Sequence, residues 1–339
     1  MSFKVRPAEN EDFQAIYEMA KLTGAGFTNL SPDKAALFKK LARSEIAFER
    51  EVGDLDGNLF VFVLEDTNTR AIRGTCQVFS RVGMVEPFYS YRVGNLTQTS
   101  PELQRTFRAE MLTLCTDFEG CSEVGGLFLH PNERAGGLGV LLARSRYLFI
   151  KLHRALFADR VLAELRGVID EAGGSPFWDA IAGRFFGMNF QEADVFNGAN
   201  GTRFIADLMP KTPIYTAMLP ESAHAIMGVP HPSGRAAMRM LEQEGFSAEG
   251  YIDIFDGGPT MSMKTDDIRT IRESRTLTVT GIEEAASSER KMMLAAGQRR
   301  NFACGYGHIS ISGDEAVIDR AAAELIGVGP GDTLLAVGR

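Results

Sequence analysis

The sequence predicts a mixed α/β fold, an α+β arrangement around a mixed sheet. Three observations carry that expectation. Short apolar runs are bounded by turn residues, as buried strands are. Longer stretches repeat apolar residues with helical period and open on capping residues. The two kinds alternate from the first residues onward, which is how mixed sheets with packed helices are built. The chain has 339 residues, which at roughly 100–200 residues per domain suggests two domains. Apolar residues make up 45% and charged residues 24%, so a sizeable core forms without staples.

Phe3 to Arg6 reads as a strand ended by Pro7. Asn10 is a plausible helix cap, followed by Phe13, Ile16 and Ala20 at helical spacing. After a break at Thr23-Gly24-Ala25-Gly26, Ser31 caps a second helix with Pro32 at its first position. Leu59 to Leu64 and Ala71 to Phe79 read as a hairpin around Thr67-Asn68-Thr69. Val124 to Leu129 is a further strand, and a glycine cluster leads from it into a long helix over Val140 to Phe157. Arg160 to Leu165 is again a strand, and Ser175 caps a helix that begins Pro176-Phe177-Trp178. Asn197 to Gly201 reads as a turn-rich joint. Beyond it a helix runs from Ser233 to Gly245 and a strand from Gly250 to Phe255, then a tight turn at Asp256-Gly257-Gly258-Pro259. From Thr276 short strands alternate, with a last helix at Ala316 to Leu325. The expected division is 1–195 and 196–339, with a small β-rich segment from about 276.

Composition narrows the function classes. Lys plus Arg is 36 and Asp plus Glu is 44, a formal charge of −8, so no basic surface for nucleic acid is expected. No apolar stretch approaches the ~20 residues of a membrane span, and the start is not that of a signal peptide. Cys76, Cys115, Cys121 and Cys304 are scattered without metal-ligand spacing. A cytoplasmic protein with reduced thiols, no metal and no membrane partner is the expectation.

Glu133 to Val140 places glycines between a strand and a helix, where free N–H groups and the helix dipole face an anion. A dinucleotide motif fails at its third glycine, and a P-loop fails for want of a lysine. Arg134, Gly137 and Gly139 instead form Arg-x-x-Gly-x-Gly, the coenzyme A signature of the GNAT acyltransferase fold.

Longer stretches are more specific. They include Arg92-Val93-Gly94, Arg166 to Glu171, Ser175 to Trp178, Leu208 to Lys211, Pro213 to Thr216, His231-Pro232 and Tyr251 to Thr260. Together they resemble the arginine N-succinyltransferase family from about residue 4 to 275. The resemblance implies tandem GNAT-like domains, the second degenerate. It implies succinyl transfer from succinyl-CoA to the α-amine of L-arginine. It also implies that His231 is the proton donor and that Leu127 contacts succinyl-CoA, with a backbone N–H of the Leu127–Leu129 strand polarising the carbonyl.

Amide formation from a thioester needs a neutral amine and a protonated leaving thiolate, and a histidine serves the second need. Asp170, Glu171, Asp253 and Asp256 are candidate partners for the guanidinium, having the acceptor geometry it needs. Arg92 and Arg166 are candidates for the substrate carboxylates. The other readings are transfer to ornithine or another amine, and a non-catalytic coenzyme A-binding subunit of a paralogous pair. A homo-oligomer or a paralogous hetero-oligomer is expected, with edge strands of the last domain pairing across a dimer.

Overall fold

The computed structural model describes residues 2–23, 28–50, 57–134, 136–200, 203–284 and 291–339. The break expected at Thr23 to Gly26 lies mostly outside them, as does Gly201. The first part of the chain gives β1 (Phe3–Pro7), α1 (Phe13–Ala20), α2 (Lys34–Glu49), β2 (Leu59–Asp66) and β3 (Ile72–Phe79). Then come β4 (Ser90–Ser100), β5 (Arg105–Cys115), β6 (Ser122–Leu129), α3 (Leu138–Leu152) and β7 (Arg160–Glu164). Next are α4 (Pro176–Ala180), α5 (Gly183–Phe186), α6 (Phe190–Asn200), α7 (Arg203–Leu208), β8 (Ile214–Tyr215) and α8 (Glu221–His224). The last part holds α9 (Arg235–Gln243), β9 (Ser247–Ile252), β10 (Pro259–Lys264), α10 (Arg269–Glu273), β11 (Arg275–Glu283) and β12 (Lys291–Ala296). It ends with β13 (Ala303–Ser312), β14 (Glu315–Asp319), α11 (Arg320–Ile326) and β15 (Thr333–Gly338).

The mixed α/β fold is as expected. One sheet runs β12-β15-β11-β14-β13-β1-β2-β3-β6-β7-β10-β9-β4-β5-β8. Strands from early and late in the chain interleave: β4 and β5 lie beyond β9, and β1 pairs with β13. The apolar run of β2 is buried along its whole length, because the sheet is covered on both faces there. α3 packs on one face with Leu141, Leu148, Phe149 and Ile150 fully buried. Phe48, Phe60, Phe62, Phe149 and Phe302 meet edge to face or tilted at 4.9–5.8 Å. Trp178 is core, and its indole N–H donates to the Met188 carbonyl at 2.8 Å.

Several local expectations change. Asp33, not Ser31, caps α2, its carboxylate accepting the Ala36 N–H at 2.6 Å. Asn10 opens a short 3-10 turn, and Arg6 and the Glu9 N–H both engage Asp12 behind it. The turn-rich stretch at Asn197 to Asn200 is helical, part of α6. Asn189 and Glu192 exchange side-chain-to-backbone bonds at its start, 2.9 Å each, and Phe190 and Ala193 anchor it in the core. That capping box and burial outweigh the weak propensity of Asn and Gly. The Ser233 helix starts later, at Arg235, after a 3-10 turn over Pro232–Gly234. Ala316 and Ile318 belong to β14, and the last helix begins only at Arg320, capped by Asp319.

The last five strands close on themselves. β12 pairs with β15 and also with β13, completing the ring β12-β15-β11-β14-β13. Among the described residues closure leaves these five strands without the free edge that pairing across a dimer would use.

Candidate active site

β6 and β7 run parallel but pair only at Ser122–Val161 and Glu123–Leu162. Beyond these two rungs they part. The cause lies in β6, where the register against β3 shifts between Thr75 and Gln77, opposite Gly125 to Phe128. Gly126 has φ +56° there, and a side chain would press on Gln77 at 3.0 Å. A bulge of this kind bends the strand and leaves residues outside the ladder.

A cavity of about 360 Å³ fills the splay. Its walls are Glu123 to Leu127 of β6, Ala163 to Arg166 at the end of β7, Val140 to Tyr147 on α3, Ser233 to Glu244 around α9, and Asp253 to Asp256. Largely apolar walls with a few convergent polar groups are the usual form of a small-molecule site.

Acids outnumber cations among the polar groups, although Arg144, Arg146 and Arg166 also line the cavity. Glu123, Glu164, Asp253 and Asp256 all line the cavity. Burial pushes the Glu123 carboxyl up to about 7, helped by Asp253 and opposed by Asn29 and Lys40. Burial also holds Glu164 well above the usual carboxylate range, with Asp253, Glu123 and Asp256 adding to it. Asp253 and Asp256 are raised as well, again chiefly by burial. Asp256 accepts the Gly167 N–H at 2.7 Å and the Gly258 N–H at 2.9 Å. Beside Glu123, Lys40 donates to the Asn29 carbonyl, and Gln77 donates to Asn29 Oδ1 at 2.8 Å. Burial pulls the Lys40 amine down to about 8. Like charges this close do not all ionise together without a cation among them.

Arg166 is the cation nearest that role on the β7 side. Burial lowers it, Asp256 and Asp194 oppose the shift, and its Nε is buried without a hydrogen-bond partner among the described residues. His231 sits next to it: the His231 N–H donates to the Arg166 carbonyl at 2.8 Å, and Gly167 bridges Pro230. Pro230 and Pro232 hold the histidine at the mouth of α9. Its Nδ1 accepts the Ser233 N–H at 3.2 Å, which leaves the proton of the neutral ring on Nε2. Burial, then the Arg166 charge, pushes the imidazole below its ordinary value.

The glycine cluster stands at the start of α3. Gly137 caps the helix with φ +82°. Among the described residues a side chain at Gly136 or Gly139 would meet no atom closer than Leu129 Cδ2 at 3.8 Å, which leaves room for a ligand there. Arg339 reaches over from the last strand, donating to the Gly136 carbonyl at 2.7 Å while stacked on Tyr306.

Of the residues singled out by sequence, Leu127, Arg166, Asp253 and Asp256 are brought together in the cavity wall. Ser233 and Gly234 line it too, with His231 immediately beside them. Gly137 and Gly139 lie at the α3 end, Arg134 is exposed beyond them, and Leu129 packs over Gly139. Three residues stand outside. Asp170 closes a turn on the Gly174 N–H at 2.7 Å, Glu171 is exposed, and Arg92 pairs with Asp117 at 3.5 Å on β4. Glu123, Glu164, Lys40 and Asn29 were not singled out. The one sequence signal of Glu123 and Glu164 is a charged residue inside or beside an apolar strand; Lys40, on α2, and Asn29, in a 3-10 turn, carry none. Among the described residues no group of three His, Cys, Asp or Glu is placed to hold a metal, and no helix is long and apolar enough to cross a membrane.

Known proteins bear on this site. The family model for the arginine N-succinyltransferase beta subunit matches residues 3–270, and the model for that subunit's C-terminal domain matches 275–338. Arginine N-succinyltransferase of Citrobacter koseri is 44% identical over 275 residues, covering 81% of this chain and 80% of the relative. The enzyme of that name from an Enterobacter species is 38% identical over 330 residues, covering 97% and 96%. The solved structure of arginine/ornithine succinyltransferase subunit AI from Pseudomonas aeruginosa superposes with a TM-score of 0.90 at 32% identity, covering 99% of this chain and 98% of that one.

Proposed function

Because the chain belongs to the arginine N-succinyltransferase family, we propose that its cleft transfers the succinyl group of succinyl-CoA to the α-amine of L-arginine. The protein is an acyltransferase. The observation that carries the assignment of the site is the splay of β6 and β7, which opens a cavity between the glycine-started α3 and His231.

The coenzyme A diphosphate is read onto the α3 start, where Gly137 and Gly139 let it approach the free N–H groups. The pantetheine arm then follows the cavity along Leu127, and a main-chain N–H freed by the β6 bulge polarises the thioester carbonyl. The cationic acceptor enters among Glu123, Glu164, Asp253 and Asp256, which recover their ionised forms beside it. The α-amine loses one proton to this carboxylate cluster, its nitrogen bonds to the acyl carbon, and the nitrogen's second proton passes to the same cluster as the carbon–sulfur bond breaks. The departing thiolate takes a proton from the imidazolium form of His231, a strong acid because burial and the Arg166 charge disfavour it, and the ring is left neutral. Both substrates are held at once, so transfer is direct. Ornithine is a second acceptor on this reading, since the Pseudomonas relative is described as an arginine/ornithine enzyme.

The test is free-thiol release from succinyl-CoA with arginine and with ornithine. His231→Ala should lower kcat by about 10²–10⁴-fold with an unchanged thermal midpoint. Absence of thiol release across a panel of basic amino acids refutes the reaction, and an undiminished His231→Ala enzyme refutes the donor.

A further inference from the structure

On the far side of Glu123 a second groove of about 870 Å³ opens between α2 and the segment following β3. It shares Phe79, Phe88 and Glu123 with the cavity, so the two adjoin along these side chains. Its charge is opposite. Lys39, Arg43, Arg50 and Arg81 line it against the carboxylates of Glu86 and Glu123. Arg81 Nε is buried and has no hydrogen-bond partner among the described residues. Arg43 gives one N–H to the Gly57 carbonyl and lies over the Phe79 ring, 5.6 Å from its centre. A buried guanidinium donor without a partner is rare in folded proteins and marks a place where an acceptor belongs.

The proposed reaction, on which this inference rests, brings two carboxylates to a cavity walled by Glu123, Glu164, Asp253 and Asp256 as well as by Arg144, Arg146 and Arg166. One is the α-carboxylate of the acceptor and the other the free end of the succinyl group. Of the cavity's cations, Arg144 is paired with Glu244, and Arg146 donates to the Ala143 and Gly125 carbonyls. That leaves Arg166 for one of the two carboxylates, while like charge from the four acids disfavours the other. We propose that the groove seats a substrate carboxylate on the guanidinium groups of Arg81 and Arg43, with Lys39 and Arg50 adding to the field at its rim. Planar donors matched to a planar anion give orientation as well as attraction. A dipolar substrate thus lies across Glu123, its cationic part on the acidic side and its carboxylate on the basic side.

Calorimetric binding tests this without requiring turnover. Arginine is compared with agmatine, which lacks the carboxylate, and succinyl-CoA with butyryl-CoA, which lacks the terminal one. Arg81→Gln should weaken the carboxylated member of one pair by about tenfold or more, the factor expected for a lost charged hydrogen bond, and leave its partner unchanged. Loss confined to arginine assigns the groove to the acceptor, and loss confined to succinyl-CoA assigns it to the donor. Arg43→Gln should act on the same pair, and Arg81→Lys should restore part of the affinity, which a misfolded variant does not do. Equal weakening within both pairs, no weakening, or no binding of any of the four by the wild-type protein overturns the proposal. Carboxylate-selective binding that depends on Arg81, without thiol release, sinks the reaction and leaves the groove standing.

Discussion

Glu123 enters the core at the foot of the splay, where the last shared rung of β6 and β7 holds it. Its carboxyl binds a proton more tightly in the folded than in the unfolded chain, with a value near 7. Stability from this group is therefore full below the ordinary carboxylate range and lost as pH rises through about 7. Lys40, lowered to about 8, has the opposite sign but acts only above that pH. We expect the thermal midpoint of the ligand-free protein to fall between pH 5 and 8. Glu123→Gln should flatten part of that fall, by at most about 3 kcal/mol at the alkaline end. Added arginine should protect more at pH 8 than at pH 6, because a cation favours the ionised cluster. Scanning calorimetry across that range decides it, and a Glu123→Gln profile parallel to wild type would refute the assignment. Asp253, Asp256 and Arg166 were readable as candidates because they stand at strand ends, where ligands of open sheets gather. Glu123 and Glu164 stand within strands, where alternation treats a polar residue as solvent-facing. Only the parting of two strands turns them inward, and that depends on a bulge fixed by three-dimensional packing.

At the scale of elements, two helix starts frame the cavity and are built alike. His130-Pro131 precedes α3 and His231-Pro232 precedes α9, and in each the histidine ring accepts the N–H two residues on. The α3 start differs in its glycines. Gly137 has φ +82°, and a side chain added there would lie 2.7 Å from the Arg339 guanidinium. Gly137→Ala should thus cost about 1–2 kcal/mol in stability and displace Arg339 from the loop. KM for the acyl-CoA should rise several-fold while kcat changes less, since the proposed donor site puts the loop far from the reacting carbon. Steady-state kinetics at saturating arginine measure this, and a Gly137→Ala enzyme with wild-type KM refutes a role for the loop in donor binding. Glycines at this point were legible in sequence because only a special backbone needs them. The long β4–β5 hairpin was not, because its outer half is exposed and polar and carries no apolar period. The helix at Phe190–Asn200 was hidden by its Asn and Gly residues, since the cap and the buried Phe190 that stabilise it act through contacts.

Over the whole molecule, the closed ring of β11 to β15 is tied to the cavity by one buried side chain. Sequence showed short alternating strands after Thr276 but not their closure, because pairing of β12 with β15 is a long-range choice between edges. Arg144 of α3 lines the cavity and donates from Nε to Thr270 Oγ1 at 2.7 Å and from Nη1 to the Gly338 carbonyl at 2.8 Å. It also pairs with Glu244 at 3.2 Å, and both side chains are nearly buried. Glu244 in turn accepts from the Thr270 N–H and hydroxyl. One charge pair thereby joins α3, the end of α9, α10 and the last strand, one residue before the Arg339 that rests on the glycine loop. Removing one partner leaves the other charge buried and unpaired, so Arg144→Met should cost about 3–5 kcal/mol. Replacing both, Arg144→Met with Glu244→Leu, should recover part of that loss, because two apolar side chains need no counter-charge. The affinity for acyl-CoA should stay reduced in the double variant, because the Gly338 carbonyl has still lost the donor that holds the last strand beneath Arg339. Urea unfolding gives the first two numbers and calorimetric titration the third. A single variant as stable as wild type, or a double variant that regains full affinity, would separate the ring from the site.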